Sequence, residues 1–223
     1  LQAYDGIRDS VASRWLGDVY KRQALDVLTG PAAKRAFDLE KETPATRDRY
    51  GRNRWGQPAR LARRLVESGV RFVEVSFNLN FINGTGWDTH NEGQQQQHRM
   101  IDQLDQAFAA LITDLEKRKR LDRTLIVIAT EFGRPPEFDA RGGRGHYSKA
   151  FSVVLAGGGL KTGQAVGTTD ELGKTILDHP VSIPDLHATI CQAMQVNPAK
   201  ELYDGIRPVP ITDNGRAISR VFG

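Results

Sequence analysis

The sequence is poor in cysteine, because its 223 residues contain only one, Cys191. A single cysteine excludes an internal disulfide and any zinc site built from several thiolates. We expect this cysteine to lie in a helix as a small apolar residue. Any metal site predicted for this chain therefore rests on oxygen and nitrogen donors.

Long hydrophobic runs are also missing. No segment approaches the roughly 18 consecutive apolar residues of a membrane span, and no charged-then-apolar signal segment opens the chain. The sequence is nevertheless 39% hydrophobic, which suffices for one sizeable globular core. We therefore expect no membrane partner and one compact α/β domain. The chain begins at Leu1 rather than at a methionine, so we expect that the start of the protein is missing.

A strong overall charge is absent as well, since the net charge is only +4. The positive charge is concentrated early: 15 of the 31 Lys and Arg residues, but only 9 of the 27 Asp and Glu residues, lie within residues 1–71. A basic arm can bind nucleic acid, but this segment has no recognition-helix or base-stacking pattern. We predict a solvated helical face and no nucleic-acid partner.

The first part of the chain predicts several helices. Residues 1–23 show weak periodicity, and we expect a non-native or disordered arm there, followed by the domain portion over 24–197. Two short helices should follow, separated at Gly30-Pro31 and at Thr43-Pro44. Apolar spacing from Pro58 to a stop at Gly69 predicts another helix.

Strand and helix signals then alternate along the chain. Continuous or alternating apolar runs predict strands, and apolar residues at helical spacing predict helices. An α/β fold with a mostly parallel central sheet and helices on both faces follows from this alternation. The predicted strands are 70–77, 124–130 and 150–159, the predicted helices are 92–119 and 183–195, and the tail 198–223 is predicted to be irregular.

Two loops that follow predicted strands carry metal-ligand types. The loop 78–91 contains Asp88 and His90, and the loop 131–149 begins with Glu131 and ends near His146. The loops after parallel strands converge at the carboxyl edge of a sheet, so we expect these four side chains to meet there. Mixed oxygen and nitrogen donors favour zinc or manganese over calcium or magnesium. The alternative is a polar loop whose acidic residue caps a helix or forms a salt bridge with a basic residue.

The second loop also contains Arg134 and Arg144. A guanidinium matches the paired oxygens of phosphate or sulfate, so these arginines are candidates for binding ester oxygens. The alternative is that both are surface arginines. The sequence contains no nucleophile elbow that would identify a nucleophile. It also contains no P-loop that would indicate a nucleotide ligand.

An ordered set of motifs resembles a known bacterial family, the domain of unknown function 1501. The motifs are GWDTH, IATEFGRPPE, GGRGHYSKAFSVVLAGGGLKTGQAVGTTD and SIPDLHATI, and DRYGRNRWGQPARLARRLVESGVRFVEVS upstream is similar to the same family. The resemblance covers about residues 24–197. It implies a branch similar to the alkaline phosphatase and sulfatase superfamily, of which this chain would be the C-terminal part.

The resemblance also implies roles for single residues. Asp88 and His90 resemble ligands of one metal, Glu131 stands where phosphatases have an Asp ligand, and His146 resembles a late histidine ligand. Phe132 replaces a histidine, and Gly145 stands where an acid is expected. These two departures put the phosphatase type of second metal in doubt.

The resemblance implies a metal-dependent hydrolase fragment that acts on sulfate or phosphate esters of small molecules or saccharides. Its nucleophile would lie outside this chain, so we expect the chain alone to be inactive. Family resemblance further implies an exported or periplasmic protein. The alternative is a non-catalytic binding protein that keeps the fold. The sequence predicts no oligomeric state.

Overall fold

The computed structural model describes residues 30–76, 86–90 and 93–223, so the predicted arm over 1–23 lies outside the described residues. The chain divides into two compact units, Leu1–Ser76 and Phe77–Gly223. Helices and strands are both present, as the sequence predicts. None of the described helices is both long and apolar enough to cross a membrane.

The described part of the first unit is helical. Prolines begin two short helices, where the missing N–H of proline costs nothing because the first helical N–H groups have no partner within the helix. Both of these helices were predicted, and the chain breaks are where Gly30-Pro31 and Thr43-Pro44 indicate. The helices are α1 (Pro31–Phe37), α2 (Pro44–Tyr50) and α3 (Gly56–Glu67).

Buried charge holds these helices together. On α3, Arg63 is 2% exposed and contacts Glu42 at 2.5 Å and Glu67 at 2.7 Å. Arg64 contacts Glu42 at 2.6 Å and donates to the carbonyl of Ala36, which lies on α1. Because α3 turns two arginines toward the same carboxylate, the ion pairs fix its position against the preceding segment.

The predicted strand 70–77 is not observed over its described part. Residues 70–76 form no strand, and Phe72 is 80% exposed. The alternating pattern there indicates a half-buried strand, but the described residues offer it no strand partner with which to form a ladder.

In the second unit, the long helix α4 (Gly93–Lys117) and the helix α5 (Ile183–Ala193) lie close to their predicted bounds. Ser182 caps α5, because its Oγ accepts from the backbone N–H of Asp185 at 3.1 Å. Cys191 is half-buried on α5, as expected.

Within residues 93–223, the strands form three separate antiparallel pairs rather than a parallel central sheet. Each pair has two strands: β1 (Leu125–Ile128) with β2 (Val154–Gly157), β3 (Thr168–Thr169) with β4 (Ile176–Asp178), and β5 (Glu201–Asp204) with β6 (Arg207–Pro210).

The prediction of parallel strands is wrong for β1 and β2, in which Leu125 lies opposite Gly157 and Ile128 lies opposite Val154. A parallel pair requires a crossover connection, usually a helix, and residues 129–153 contain none. The chain therefore returns beside β1 in the opposite direction. An apolar run indicates a strand but carries no information about its direction.

The tail after residue 198, predicted to be irregular, contains the hairpin β5–β6. Gly205 has a φ of +62°, a conformation that the tight turn needs and that glycine adopts without a steric cost. The tail also ends in a short 3-10 helix, Ser219–Val221. Its strand signal is weak because two prolines fall in the second strand.

Candidate functional site

The candidate site forms where two loops of the second unit meet. The backbone N–H of Arg144 donates to the carbonyl of Thr89 at 2.9 Å, which joins the 131–149 loop to the Asp88-His90 loop. Within the later loop, Gly133 and Tyr147 exchange two backbone hydrogen bonds of 2.9 Å each. Together these bonds bring Arg134, which follows Gly133, and His146, which precedes Tyr147, close to Asp88.

Gly133 is required at this point by close packing. A Cβ added there would lie 2.6 Å from the carbonyl oxygen of Ala150 and 2.9 Å from Cβ of Phe151. Only a residue without a side chain allows the backbone bridge to Tyr147 at this separation. The glycine therefore sets the position of the loop that carries the arginine and histidine of the site.

Three predicted ligands come together in the site. Oδ1 of Asp88 lies 3.0 Å from Nε2 of His90 and 3.6 Å from Nε2 of His146. The two Nε2 atoms are 3.1 Å apart. The ligand atoms of Asp88, His90 and His146 all lie within 4.8 Å of one another, so these residues could hold a metal ion.

Glu131 is not part of this group. It is exposed, three residues after the end of β1, and the neighbouring Thr130 donates its hydroxyl proton to the carbonyl of Phe132. The Phe132 ring faces the site instead, with its centroid 4.2 Å from that of the His146 imidazole. The aromatic contact restricts the orientation of the imidazole. Sequence reasoning treated Phe132 only as a lost ligand and did not predict this contact.

Arg134 reaches into the same group. Its Nη2 donates to Oδ1 of Asp88 at 2.6 Å, and its Nη1 donates to the carbonyls of Arg144 and Gly145 at 2.9 and 3.4 Å. Nη1 also lies 3.5 Å from Nε2 of His90. The sequence predicted an arginine that binds ester oxygens, whereas these donors are directed at a carboxylate and at backbone carbonyls. No local signal in the sequence indicates that pairing.

The electrostatic environment keeps the Asp88 carboxylate ionised. Burial raises the pKa of Asp88, but the hydrogen bond from Arg134 and the nearby His90 and His146 outweigh burial and lower the pKa below its ordinary value. Asp88 therefore offers an anionic oxygen to any cation that enters between the two imidazoles.

Arg144 lies at the edge of the site. Its Nη1 donates to the carbonyl of Pro135 at 3.3 Å, and its guanidinium lies 4.4 Å from the centroid of the Phe138 ring. Nε of Arg144 is buried and has no hydrogen-bond partner among the residues that the structure describes. A buried N–H without a partner is costly, which makes this atom a candidate contact for an oxygen of a ligand.

A polar turn forms the middle of the 131–149 loop. Oδ1 of Asp139 accepts from the backbone N–H groups of Arg141 and Gly143 at 2.9 and 3.0 Å. These two hydrogen bonds lower the pKa of Asp139. The turn gives the long 131–149 segment a defined shape of its own, so it is not a bare connector.

Comparison with known protein families gives one finding. A family model described as "Protein of unknown function (DUF1501)" matches residues 18–222, and the chain therefore belongs to this family. The family resemblance inferred from the motifs is confirmed. Neither the curated proteins nor the solved structures give a match to the chain.

Proposed function

We propose that this DUF1501 protein binds one divalent cation through Asp88, His90 and His146 and is part of a metal-dependent hydrolase acting on sulfate or phosphate esters. The single observation that supports the proposal is the convergence of one carboxylate oxygen and two imidazole nitrogens within 4.8 Å. The substrate class and the similarity to the alkaline phosphatase and sulfatase superfamily belong to the proposal.

The spacing of the donor atoms suits a small transition-metal ion. Zinc lies about 2.0–2.1 Å from histidine nitrogens and carboxylate oxygens. Two ligands at about 2.1 Å that are separated by 3.0–3.6 Å subtend angles of about 90–120° at the ion. Tetrahedral and octahedral ions both fall in this range, which supports zinc or manganese. Three protein ligands leave at least one position for a substrate oxygen.

The residues around the ion have distinct roles in this proposal. A cation bound here would polarise an ester oxygen or activate a nucleophile. The Asp88 carboxylate supplies the negative charge of the ligand set, and Phe132 holds the ring of His146 in place. Nε of Arg144 is buried without a partner in the described part of the chain, so the Arg144 side chain would have to move before this N–H could bind a non-bridging oxygen of the ester.

A second candidate function is ligand binding without turnover. The observation that favours it is the Phe132 ring, which packs 4.2 Å from the His146 imidazole at the position where the superfamily motif has a histidine ligand. A phenyl ring cannot bind a metal, so a second ion of the phosphatase type has no ligand there. A site for one ion can bind an anion without cleaving it.

Calorimetric titration with Zn²⁺ and Mn²⁺ tests the cation site. We expect one ion per chain, and we expect His146→Ala and Asp88→Asn to weaken binding at least about tenfold, since each removes a ligand. His187→Ala is the matched control, because His187 is exposed on α5 and should leave the affinity unchanged. Binding that is equal in all four proteins would disprove the site.

Turnover distinguishes the two candidate functions. Aryl sulfates and aryl phosphates are assayed with the chain and with a version extended by the upstream genomic sequence, each loaded with zinc or manganese. Hydrolysis by the extended protein that His146→Ala abolishes supports the hydrolase. Tight cation and oxyanion binding without hydrolysis of any ester in the panel supports the binding protein instead.

A further inference from the structure

We propose that Arg134 competes with the cation for Asp88, so that this arginine sets how tightly the site binds a divalent ion. The inference rests on the proposed cation site. It starts from one oxygen atom, Oδ1 of Asp88, which faces Nη2 of Arg134 at 2.6 Å as well as the imidazoles of His90 and His146 at 3.0 and 3.6 Å.

The geometry brings two positive charges to one acceptor. An ion bound to Oδ1 of Asp88 lies about 2 Å from that oxygen, and Nη2 of Arg134 lies 2.6 Å from it on the same carboxylate. The ion and this nitrogen would then be at most about 4.6 Å apart. The repulsion is strong because the Arg134 side chain is only 17% exposed and solvent screens it poorly. Ion binding is therefore coupled to withdrawal of Arg134 from Oδ1.

Arg134 has other acceptors that allow this withdrawal. Its Nη1 donates to the carbonyls of Arg144 and Gly145, and its guanidinium lies 5.5 Å from the centroid of the Phe132 ring. These contacts hold the guanidinium beside the site after Nη2 leaves Asp88.

The loss of one hydrogen bond limits the strength of ion binding. A charge-assisted bond of 2.6 Å between Arg134 and Asp88 is stronger than a neutral hydrogen bond, and the ion must replace it. An ion with a strong preference for imidazole nitrogen regains more at His90 and His146 than an oxygen-preferring ion does. Zinc therefore binds more tightly than magnesium or calcium, whereas Arg134 weakens the binding of each divalent ion by a similar factor.

Arg134→Gln tests the competition by titration with Zn²⁺ and Mg²⁺. We expect the variant to bind Zn²⁺ at least about tenfold more tightly than the wild type and to gain affinity for Mg²⁺ by a similar factor. Arg134→Lys keeps the positive charge without the planar fork and should give a smaller gain. The matched control is Arg141→Gln, which removes the same charge from an exposed position of the same loop.

A second measurement follows the arginine itself. Mass spectrometry after treatment with phenylglyoxal reports the reactivity of the Arg134 guanidinium, which should rise when saturating Zn²⁺ releases Nη2 from Asp88. Weaker Zn²⁺ binding by Arg134→Gln would overturn the competition and make Arg134 a support for the ligands. An equal gain in Arg141→Gln would also overturn it, since the effect would then be general electrostatics. If wild type and Arg134→Gln both fail to bind ions, the proposed function fails together with this inference.

Discussion

In the first unit Glu42 is shared by two arginines, and in the second unit Asp88 is shared by one arginine and two histidines. The Glu42 side chain is 10% exposed, and its partners among the described residues are the guanidinium groups of Arg63 and Arg64. The Asp88 side chain is 31% exposed, and two of its three partners are imidazoles. The same pairing of carboxylate and arginine thus occurs in a closed and in an open environment.

The difference lies in what the partners can do besides pairing. Guanidinium groups donate hydrogen bonds and never act as metal ligands at ordinary pH, so the Glu42 cluster serves only to hold helices together. Neutral imidazoles carry a lone pair, so the Asp88 cluster can exchange its internal hydrogen bonds for a cation. Buried charge stabilises the fold in one unit and prepares a binding site in the other.

Among the substitutions that test this comparison, we expect Glu42→Gln to cause the largest loss of stability. The substitution removes the carboxylate that Arg63 shares with Arg64 but leaves Arg63 its pair with Glu67. We therefore expect a loss toward the lower end of the about 3–5 kcal/mol that breaking a buried pair costs. Chemical denaturation followed by circular dichroism measures the loss. Asp48→Asn is the control, because its pair with Arg52 is solvent-exposed and should leave stability nearly unchanged. Equal losses in the two variants would show that burial does not decide the effect.

The pH dependence of stability sharpens the same point. Burial raises the pKa of Glu42, but the hydrogen bonds from Arg64 and Arg63 outweigh it and bring the pKa below the ordinary value of 4.5. The ionised carboxylate therefore contributes stability that is fully present above pH 4.5 and is lost as the pH falls through the lower pKa of the folded state. The difference in unfolding free energy between wild type and Glu42→Gln should stay constant from pH 7 to pH 5 and shrink below pH 4.5. A difference that grows on acidification would contradict this.

Gly133→Ala should disrupt the Asp88 cluster without replacing any of the three residues proposed to bind the cation. The new Cβ would lie 2.6 Å from the Ala150 carbonyl oxygen, so the bridge to Tyr147 must shift, at a cost of about 1–3 kcal/mol. We expect weaker Zn²⁺ binding because the loop positions His146. Gly145→Ala is the control, since no atom of the described residues lies within 4 Å of a Cβ there. Thermal denaturation and zinc titration of both variants provide the test. If Gly133→Ala keeps the wild-type stability and Zn²⁺ affinity, the backbone bridge to Tyr147 does not position His146.

The smallest expected effects come from the helix caps, which should be alike in the two units. Thr43 caps α2 at 3.2 Å and Ser182 caps α5 at 3.1 Å, so each change to alanine should cost about 1 kcal/mol. Neither change should alter Zn²⁺ affinity. A tenfold loss of affinity in Ser182→Ala would show that α5 is coupled to the site, in contrast to the local role assigned here.

Local signals explain the parts of the fold that were predictable. The bounds of α4 and α5 follow from apolar residues at helical spacing and from a serine cap, which act within a few residues along the chain. The strands β1 and β2 were also predicted, because each is a short apolar run. Their antiparallel pairing was not, since it depends on a connection over 129–153 that contains no helix.

The candidate site was predictable to the same limited degree. Asp88 and His90 are two residues apart in one loop, so their proximity is a local property that the sequence indicates. Glu131 was predicted as a ligand because it follows a strand, yet it is exposed and outside the group. The direction of a side chain at a strand end depends on the path of the following loop, which no local pattern specifies.

The sequence by itself determined the kinds of donor available, the helices of both units and the family to which the chain belongs. Only the tertiary structure decided that His146 lies beside Asp88, that Phe132 packs against its ring and that Arg134 binds the carboxylate. These contacts join residues that are 14 to 58 positions apart, and backbone bonds such as Arg144 to Thr89 create them. Short-range propensities fix elements, whereas the sharing of one oxygen among three side chains arises only when the loops are folded together.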